Sequence, residues 1–226
     1  MTRPSSRSIA RTAAVATRNS PQVTVHLRKM YVDCRFGQLH LHTAFPSSGG
    51  FDELTPLVCL APAASGGRAF RSLLRDLGRD RSVYAPDLPG SGESDGPHEP
   101  ATVLDHAAAV EDLIESLRMR QVDVLGFHGG SLAALELALA RPQQVRRVVL
   151  IGLPATEGNY QASERLPLLR QPVMVLRPRD ELWEATARSV GLLRDARRID
   201  LPNAGAGALE AAGGELVGYL REFLDR

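Results

Sequence analysis

The chain has 226 residues, of which 43% are hydrophobic, which is enough for one domain with a sizeable buried core and too little for two generous ones. The net charge is only +1 and no run of about eighteen apolar residues is present, so we expect neither a nucleic-acid partner nor a membrane. The two cysteines, Cys34 and Cys59, fit no metal-ligand spacing, which favours a reduced, cytoplasmic setting.

The first part of the chain differs in composition from the rest. Residues 1–22 are rich in Ser, Thr, Arg and Ala, and their apolar residues are too scattered to form a face, which predicts a disordered tail. This composition also resembles a mitochondrial transit peptide. Arginine is the dominant basic residue throughout the chain, however, so an unstructured tail is favoured. We assign residues 23–226 to a single domain.

Two segments of alternating polarity, Val23–Val32 and Gln38–Phe45, predict an antiparallel hairpin. His40 and His42 lie two residues apart in the second segment, which places both side chains on one face of the strand. A metal site would need a third ligand nearby, and the sequence indicates none. We therefore interpret both as solvated strand histidines and expect no metal ion.

The rest of the chain alternates between short apolar strands and helices, the pattern of an open, mostly parallel sheet with helices on both faces. The predicted strands are Leu57–Leu60, Ser82–Pro86, Val122–Phe127, Val145–Ile151, Val173–Leu176 and Arg198–Leu201. The predicted helices are Arg68–Leu77, one that contains Val103 and Leu117, one that ends near Arg141, Glu181–Val190 and Ala208–Leu224. Thr102 and Asp105 have the spacing of a capping box before the second of these helices.

The segment Val122–Ala134 predicts a strand, a sharp turn and a helix, with glycines at 126, 129 and 130 where the backbone must turn tightly. It resembles the nucleophile elbow of the α/β-hydrolase family, Gly-x-Ser-x-Gly. The turn Asp87–Ser94 and the segments Arg177–Trp183 and Leu201–Gly207 are similar to other landmarks of that family. The resemblance runs from Val23 to the end of the chain and implies the α/β-hydrolase fold.

The family's active-site residues are mostly replaced. Its nucleophile maps to His128, its catalytic histidine to Ala206, and the His-Gly that often opens the oxyanion loop to Ala61-Pro62, whereas its acid maps to Asp180. Without a Ser or Cys at the elbow, the usual Ser-His-Asp route is closed.

Two functions fit this pattern. In the first, Asp180 orients the Nδ1–H of His128, and Nε2 acts as a general base on a small, largely apolar ester or carbonyl compound. The resemblance implies an oxyanion hole from Gly129 and the loop Ala63, Ala64 and Ser65, a pocket that includes Phe127 and Ala206, and no cofactor.

In the second, the chain is a catalytically inactive pseudoenzyme that binds a ligand or a partner chain. Asp180 would then only cap the helix that begins at Glu181, since Asp is a preferred N-cap residue. Ser131 lies inside the elbow helix, where we expect it to bond to the backbone. Ser65, in a glycine-flanked loop, is the alternative nucleophile.

The family usually inserts a helical cap after the strand that follows the elbow helix, but Leu153–Gln171 has room for little more than one short helix. The cap is therefore missing or minimal, and the site should be open. An open apolar site admits water, which favours a second copy that covers it as a homodimer. The predicted contacts of that homodimer are Leu153, Leu166, Leu168 and Leu169.

Overall fold

The computed structural model describes residues 24–47, 53–205, 207, 209 and 213–226. The predicted tail at 1–22 lies outside the described residues, and so does Ala206 of the predicted pocket.

Eight strands form the main sheet and two short ones form a separate hairpin. The main strands are β1 (Val25–Cys34), β2 (Gly37–Pro46), β3 (Leu54–Leu60), β4 (Arg81–Pro86), β5 (Val122–Phe127), β6 (Val145–Ile151), β9 (Val173–Pro178) and β10 (Ala196–Leu201). The hairpin strands are β7 (Thr156–Glu157) and β8 (Tyr160–Gln161). The helices are α1 (Arg71–Leu77), α2 (Val103–Ser116), α3 (Gly129–Ala140), α4 (Ala162–Arg165), α5 (Trp183–Val190) and α6 (Gly213–Leu224).

The sheet is mostly parallel. Its strand order is β1-β2-β4-β3-β5-β6-β9-β10. Strand β2 pairs antiparallel with both β1 and β4, and every other pair is parallel. The carboxyl ends of the parallel strands therefore meet at one edge, where open α/β sheets place their ligands.

Helices cover both faces of the sheet, as the alternating pattern predicts. On one face α2 and α3 bury residues such as Val110 and Leu135 against the sheet. On the other face α1 and α6 bury Leu74 and Leu220. No helix within the described residues is long and apolar enough to cross a membrane.

The predicted capping box begins α2. The N–H of Asp105 donates to Thr102 Oγ1 over 3.2 Å, and the N–H of Thr102 donates to Asp105 Oδ2 over 2.9 Å. Two N–H groups that the helix itself leaves without partners are thereby bonded, which stabilises this end of the helix.

An ion pair links the neighbouring strands β5 and β6. The Asp123 carboxylate on β5 is fully buried and binds the Arg146 guanidinium on β6 through two bonds, of 3.0 and 2.6 Å. Burial raises the pKa of Asp123 even though Arg146 favours the charged form. Neither partner can be removed alone without leaving the other unpaired.

The segment between β6 and β9 is short, as expected, but its detail differs from the prediction. It contains the hairpin β7–β8, which the sequence analysis does not predict, the single turn α4 and a 3₁₀ turn at Leu166–Leu168. Leu153, Leu166 and Leu169 are core residues, and only Leu168 is exposed. The four leucines therefore do not form the predicted dimer surface, because three of them complete the core under this segment.

Candidate active site

His128 lies in the turn between β5 and α3, in a backbone conformation that few side chains adopt. Its φ is 49°, in the left-handed region. The turn is tight because a Cβ on Gly126 would meet the Ser131 backbone at 2.4 Å, and one on Gly130 would meet the Leu60 carbonyl at 2.0 Å. The glycines thus let α3 lie against β3 and β5, and this turn projects the His128 side chain from the carboxyl end of β5.

The structure brings His128 and Asp180 together. His128 Nε2 lies 2.9 Å from Asp180 Oδ2, and the Asp180 side chain is fully buried. The prediction that Nδ1 faces Asp180 is wrong, because the ring presents Nε2 to the carboxylate. Nδ1 is therefore the nitrogen that faces away from Asp180.

Asp180 has a second contact at the start of α5. The N–H of Leu182 donates to Asp180 Oδ1 over 2.9 Å. The helix begins at Trp183, two residues later than predicted, so Asp180 stabilises the turn before the helix and is not its N-cap residue. One carboxylate thus fixes the local backbone and the imidazole at once.

The His128 ring has two further contacts, one at its Nδ1 edge and one on its face. Nδ1 lies 3.6 Å from Oε1 of Glu181, whose side chain is mostly exposed. The ring of Phe127 stacks on the imidazole at 4.1 Å between centroids. Phe127 is itself buried and belongs to the core, so it supports the ring from the core side.

The predicted oxyanion donors lie around the start of α3. Gly129 is the first residue of that helix, and the first N–H groups of a helix have no partner within it. A Cβ on Gly129 would be 3.9 Å from Pro62 Cα, so the loop after β3 lies beside it. Within that loop the N–H of Ser65 already donates to the Pro62 carbonyl. The exposed residues Ala63 and Ala64 are the remaining candidates for a second donor.

Two residues near this site have no signal in the sequence. Glu157 Oε2 would lie 2.9 Å from a Cβ on Gly129, and partial desolvation raises the pKa of Glu157. Gly152, after β6, has a φ of 61°, and a Cβ there would lie 2.6 Å from His128 Cδ2. Both reach the elbow from another part of the chain, which no local pattern reveals.

A cavity of about 550 Å³ adjoins Glu157. Its walls are mostly apolar and come from the start of α2 and from the β7–β8 hairpin. The lining residues are Ala101, Thr102, Val103, Leu104, Glu157, Gly158, Asn159 and Tyr160. This cavity has the size and lining of a site for a small organic molecule.

The serines behave as their positions indicate. Ser131 is fully buried, and its Oγ points to the Ile151 carbonyl at 3.4 Å, the backbone contact expected of it. Ser65 is half-buried and lines a separate cavity of about 420 Å³ together with Ala63 and Ala64.

The interpretation of His40 and His42 as solvated histidines is wrong. His40 is 1% exposed, and its Nδ1 lies 2.9 Å from Asp87 Oδ2. His42 is half-buried, and this desolvation lowers its pKa. Burial alone would raise the pKa of Asp87, yet hydrogen bonds from the Glu93 N–H, His40 and the Gly67 N–H bring it below its ordinary value. The sequence does not reveal that Asp87 lies beside the two histidines.

A model of the α/β-hydrolase fold family matches residues 55–176, more than half of the chain. The chain belongs to the α/β-hydrolase family. It is 32% identical over 127 residues to a 2-hydroxymuconate semialdehyde hydrolase of a Pseudomonas species, covering 52% of this chain and 44% of that protein. It is 37% identical over 117 residues to a Pseudomonas putida protein of the same name, covering 48% and 39%. The chain thus matches less than half the length of these family members.

Solved α/β-hydrolase structures resemble the whole fold. The enol-lactonase from Burkholderia xenovorans has a TM-score of 0.79 at 15% identity, covering 87% of this chain and 100% of that one. The thioesterase domain from the curacin biosynthetic pathway has a TM-score of 0.73 at 16% identity, covering 86% and 99%. At these identities the likeness demonstrates the shared fold alone.

Proposed function

We propose that this α/β-hydrolase acts on a small, largely apolar molecule with an ester or other carbonyl group, with His128 as a general base in place of the serine nucleophile. The observation that carries the proposal is the 2.9 Å contact between His128 Nε2 and Asp180 Oδ2 at the turn after β5. Relatives named as hydrolases of 2-hydroxymuconate semialdehyde support a carbonyl substrate.

In the reaction we propose, Nε2–H of His128 donates to Asp180 and leaves the lone pair on Nδ1. Nδ1 takes a proton from a water molecule, and the hydroxide adds to the ester carbonyl. The N–H of Gly129 stabilises the oxyanion. The imidazolium, stabilised by Asp180, then returns its proton to the leaving alkoxide. Glu181 is mostly exposed, so its side chain can rotate away to admit the water.

Hydrolysis of short acyl esters of p-nitrophenol tests this reaction. We expect His128→Ala to abolish turnover. Asp180→Asn should lower turnover by about 10²-fold or more, while its amide oxygen still accepts the Leu182 N–H, so the fold is kept. Glu184→Gln is the matched control, since Glu184 is an exposed acid in the first turn of α5, and it should keep turnover within a few-fold. Turnover that survives both His128→Ala and Asp180→Asn would refute the proposal.

The second candidate function is ligand binding without turnover, and one observation favours it. Both ring nitrogens of His128 face carboxylates, Asp180 and Glu181, and Asp180 also bonds to the backbone before α5. These contacts account for both residues structurally. This candidate predicts no turnover of any ester but a rise in Tm with a bound ligand, because a ligand that binds only the folded state stabilises it.

A further inference from the structure

A second group of polar side chains lies away from His128, at the neighbouring part of the same sheet edge. His40 and His42 alternate with Leu41 along β2, so both face the same side. Strand β4 pairs with β2 and ends at Pro86, which brings Asp87 next to the histidines. One donor atom from each of His40, His42 and Asp87 lies within 4.8 Å of the other two.

His40 is the most constrained member of the group. Its ring is buried, and with Nδ1 bonded to Asp87, its Nε2 has no hydrogen-bond partner among the described residues. The Glu93 carboxylate is near, with Oε2 3.9 Å from Nε2. That distance is too long for a hydrogen bond. Two donors about 2.0–2.2 Å from one tetrahedral ion lie roughly 3.3–3.6 Å apart. Because Glu93 is exposed, a small movement of its side chain brings both donors within reach of one ion.

We propose that His40 Nε2, a ring nitrogen of His42 and the neighbouring Glu93 carboxylate bind a divalent transition-metal ion of the zinc class. Asp87 has the positioning role, because a carboxylate bonded to the far nitrogen of a ligand histidine fixes its tautomer and orientation. Two imidazoles two residues apart on a strand, with one carboxylate, are a donor set that zinc accepts.

The surroundings match these roles. The oxygens of Asp87 already accept the N–H groups of Gly67 at 2.7 Å and of Glu93 at 3.1 Å, so Asp87 is suited to holding His40 in place. The Tyr31 hydroxyl donates to Glu93 Oε2 over 2.9 Å and orients that carboxylate. Lys29 Nζ lies 3.0 Å from Glu93 Oε1 and is the one cation that competes for it directly among the described residues.

An ion also has access and room. His42, Asp87 and Glu93 line the cavity of about 420 Å³ that includes Ala63, Ala64 and Ser65. Lys29 and Arg68 also line it, and the two carboxylates offset these two positive charges. That cavity can hold a water molecule to complete a four-coordinate ion. The site shares no ligand with the His128–Asp180 pair, so metal binding can be measured without ester turnover.

Titration of the untagged, metal-free full chain with Zn²⁺ by calorimetry tests the site. We expect one tightly bound ion per chain, and about 10-fold or greater loss of affinity in His42→Gln and in Glu93→Gln. Neither position is fully buried, so both variants should fold, which thermal unfolding checks. His26→Gln is the matched control, since His26 is an exposed histidine of β1, and it should leave the affinity unchanged.

Two further readouts sharpen the test. Substitution with Co²⁺ should give visible d–d bands without the thiolate charge-transfer band that a cysteine ligand would produce. Lys29→Met should tighten binding, because it removes the cation bonded to Glu93. Absence of Zn²⁺ binding, unchanged affinity in His42→Gln and Glu93→Gln, or an equal loss in His26→Gln would each overturn the proposal. Because no readout uses ester turnover, failure here is distinguishable from failure of the proposed reaction.

Discussion

Gly152 limits the position of the His128 ring, so adding one methyl group there tests the arrangement directly. In Gly152→Ala the new Cβ would lie 2.6 Å from His128 Cδ2, 2.9 Å from its Nε2 and 3.5 Å from Asp180 Oδ2. Non-bonded carbons at their optimal separation lie about 3.5–4.0 Å apart. The ring must therefore move by roughly an ångström, which breaks its alignment with Asp180.

Backbone strain has to be separated from this contact. Gly152 has a φ of 61°, and an alanine in the left-handed region costs roughly 1–2 kcal/mol. Gly90 is the matched control, because its φ is 76° and a Cβ there would meet nothing within 4 Å. Gly90→Ala should lose roughly 1–2 kcal/mol of unfolding free energy and keep its turnover. Gly152→Ala should lose more stability, and its ester hydrolysis should fall by about 10²-fold, the effect of an ångström's misplacement.

Urea unfolding and p-nitrophenyl ester hydrolysis of the two variants measure both effects. The difference in unfolding free energy between the two variants can be measured even if ester turnover is too low to detect. Equal unfolding free energies for Gly152→Ala and Gly90→Ala, with equal turnover, would refute the conclusion that Gly152 packs against the His128 ring.

Three further predictions concern the rest of the fold. Thr102→Ala removes the side-chain acceptor of the α2 capping box and should cost about 1 kcal/mol in urea unfolding; an unchanged midpoint would contradict this role. Arg146→Met leaves the Asp123 carboxylate buried and unpaired and should lower the free energy of unfolding by about 3–5 kcal/mol. The double variant with Asp123→Leu should recover most of that loss. A double variant no more stable than Arg146→Met would contradict this account of the ion pair. Burial lowers the pKa of His106 in the folded state, so the unfolded chain binds the proton more readily than the folded chain does. The contribution of His106 to stability is therefore complete above its unfolded pKa near 6.5 and is lost as the pH falls towards the lowered folded-state pKa. Unfolding free energies at pH 7.5 and 5.5 should therefore differ less in His106→Gln than in the natural chain, and an identical difference would exclude this explanation.

Much of the fold is predictable from local pattern. Alternating polarity predicts β1 and β2, because a strand with one buried face places an apolar residue at every second position. Short continuous apolar runs predict β5 and β6, which are buried on both faces. The β7–β8 hairpin is missed because each strand has only two residues, too few for any period. Leu153 and Leu166 are misassigned to a surface, since composition alone does not reveal which side of a short segment meets the core.

The candidate site is predictable only in part. The spacing of glycines locates the turn at His128, and the resemblance locates Asp180, because both depend on order along the chain. The ring nitrogen that meets Asp180 depends on the rotamer, and Gly152 meets the ring only through the pairing of β5 with β6. His40 and Asp87 are 47 residues apart, so their contact follows from β2 pairing with β4 and has no local signature.

Strand β10 lies at one edge of the sheet, and its outer side has no partner strand among the described residues. Arg197, Arg198 and Asp200 lie along it, with Arg197 paired to Glu222 on α6. Charged side chains on an edge oppose the approach of a second strand. The charged side chains of β10 therefore disfavour the pairing of this edge with a strand of any other chain.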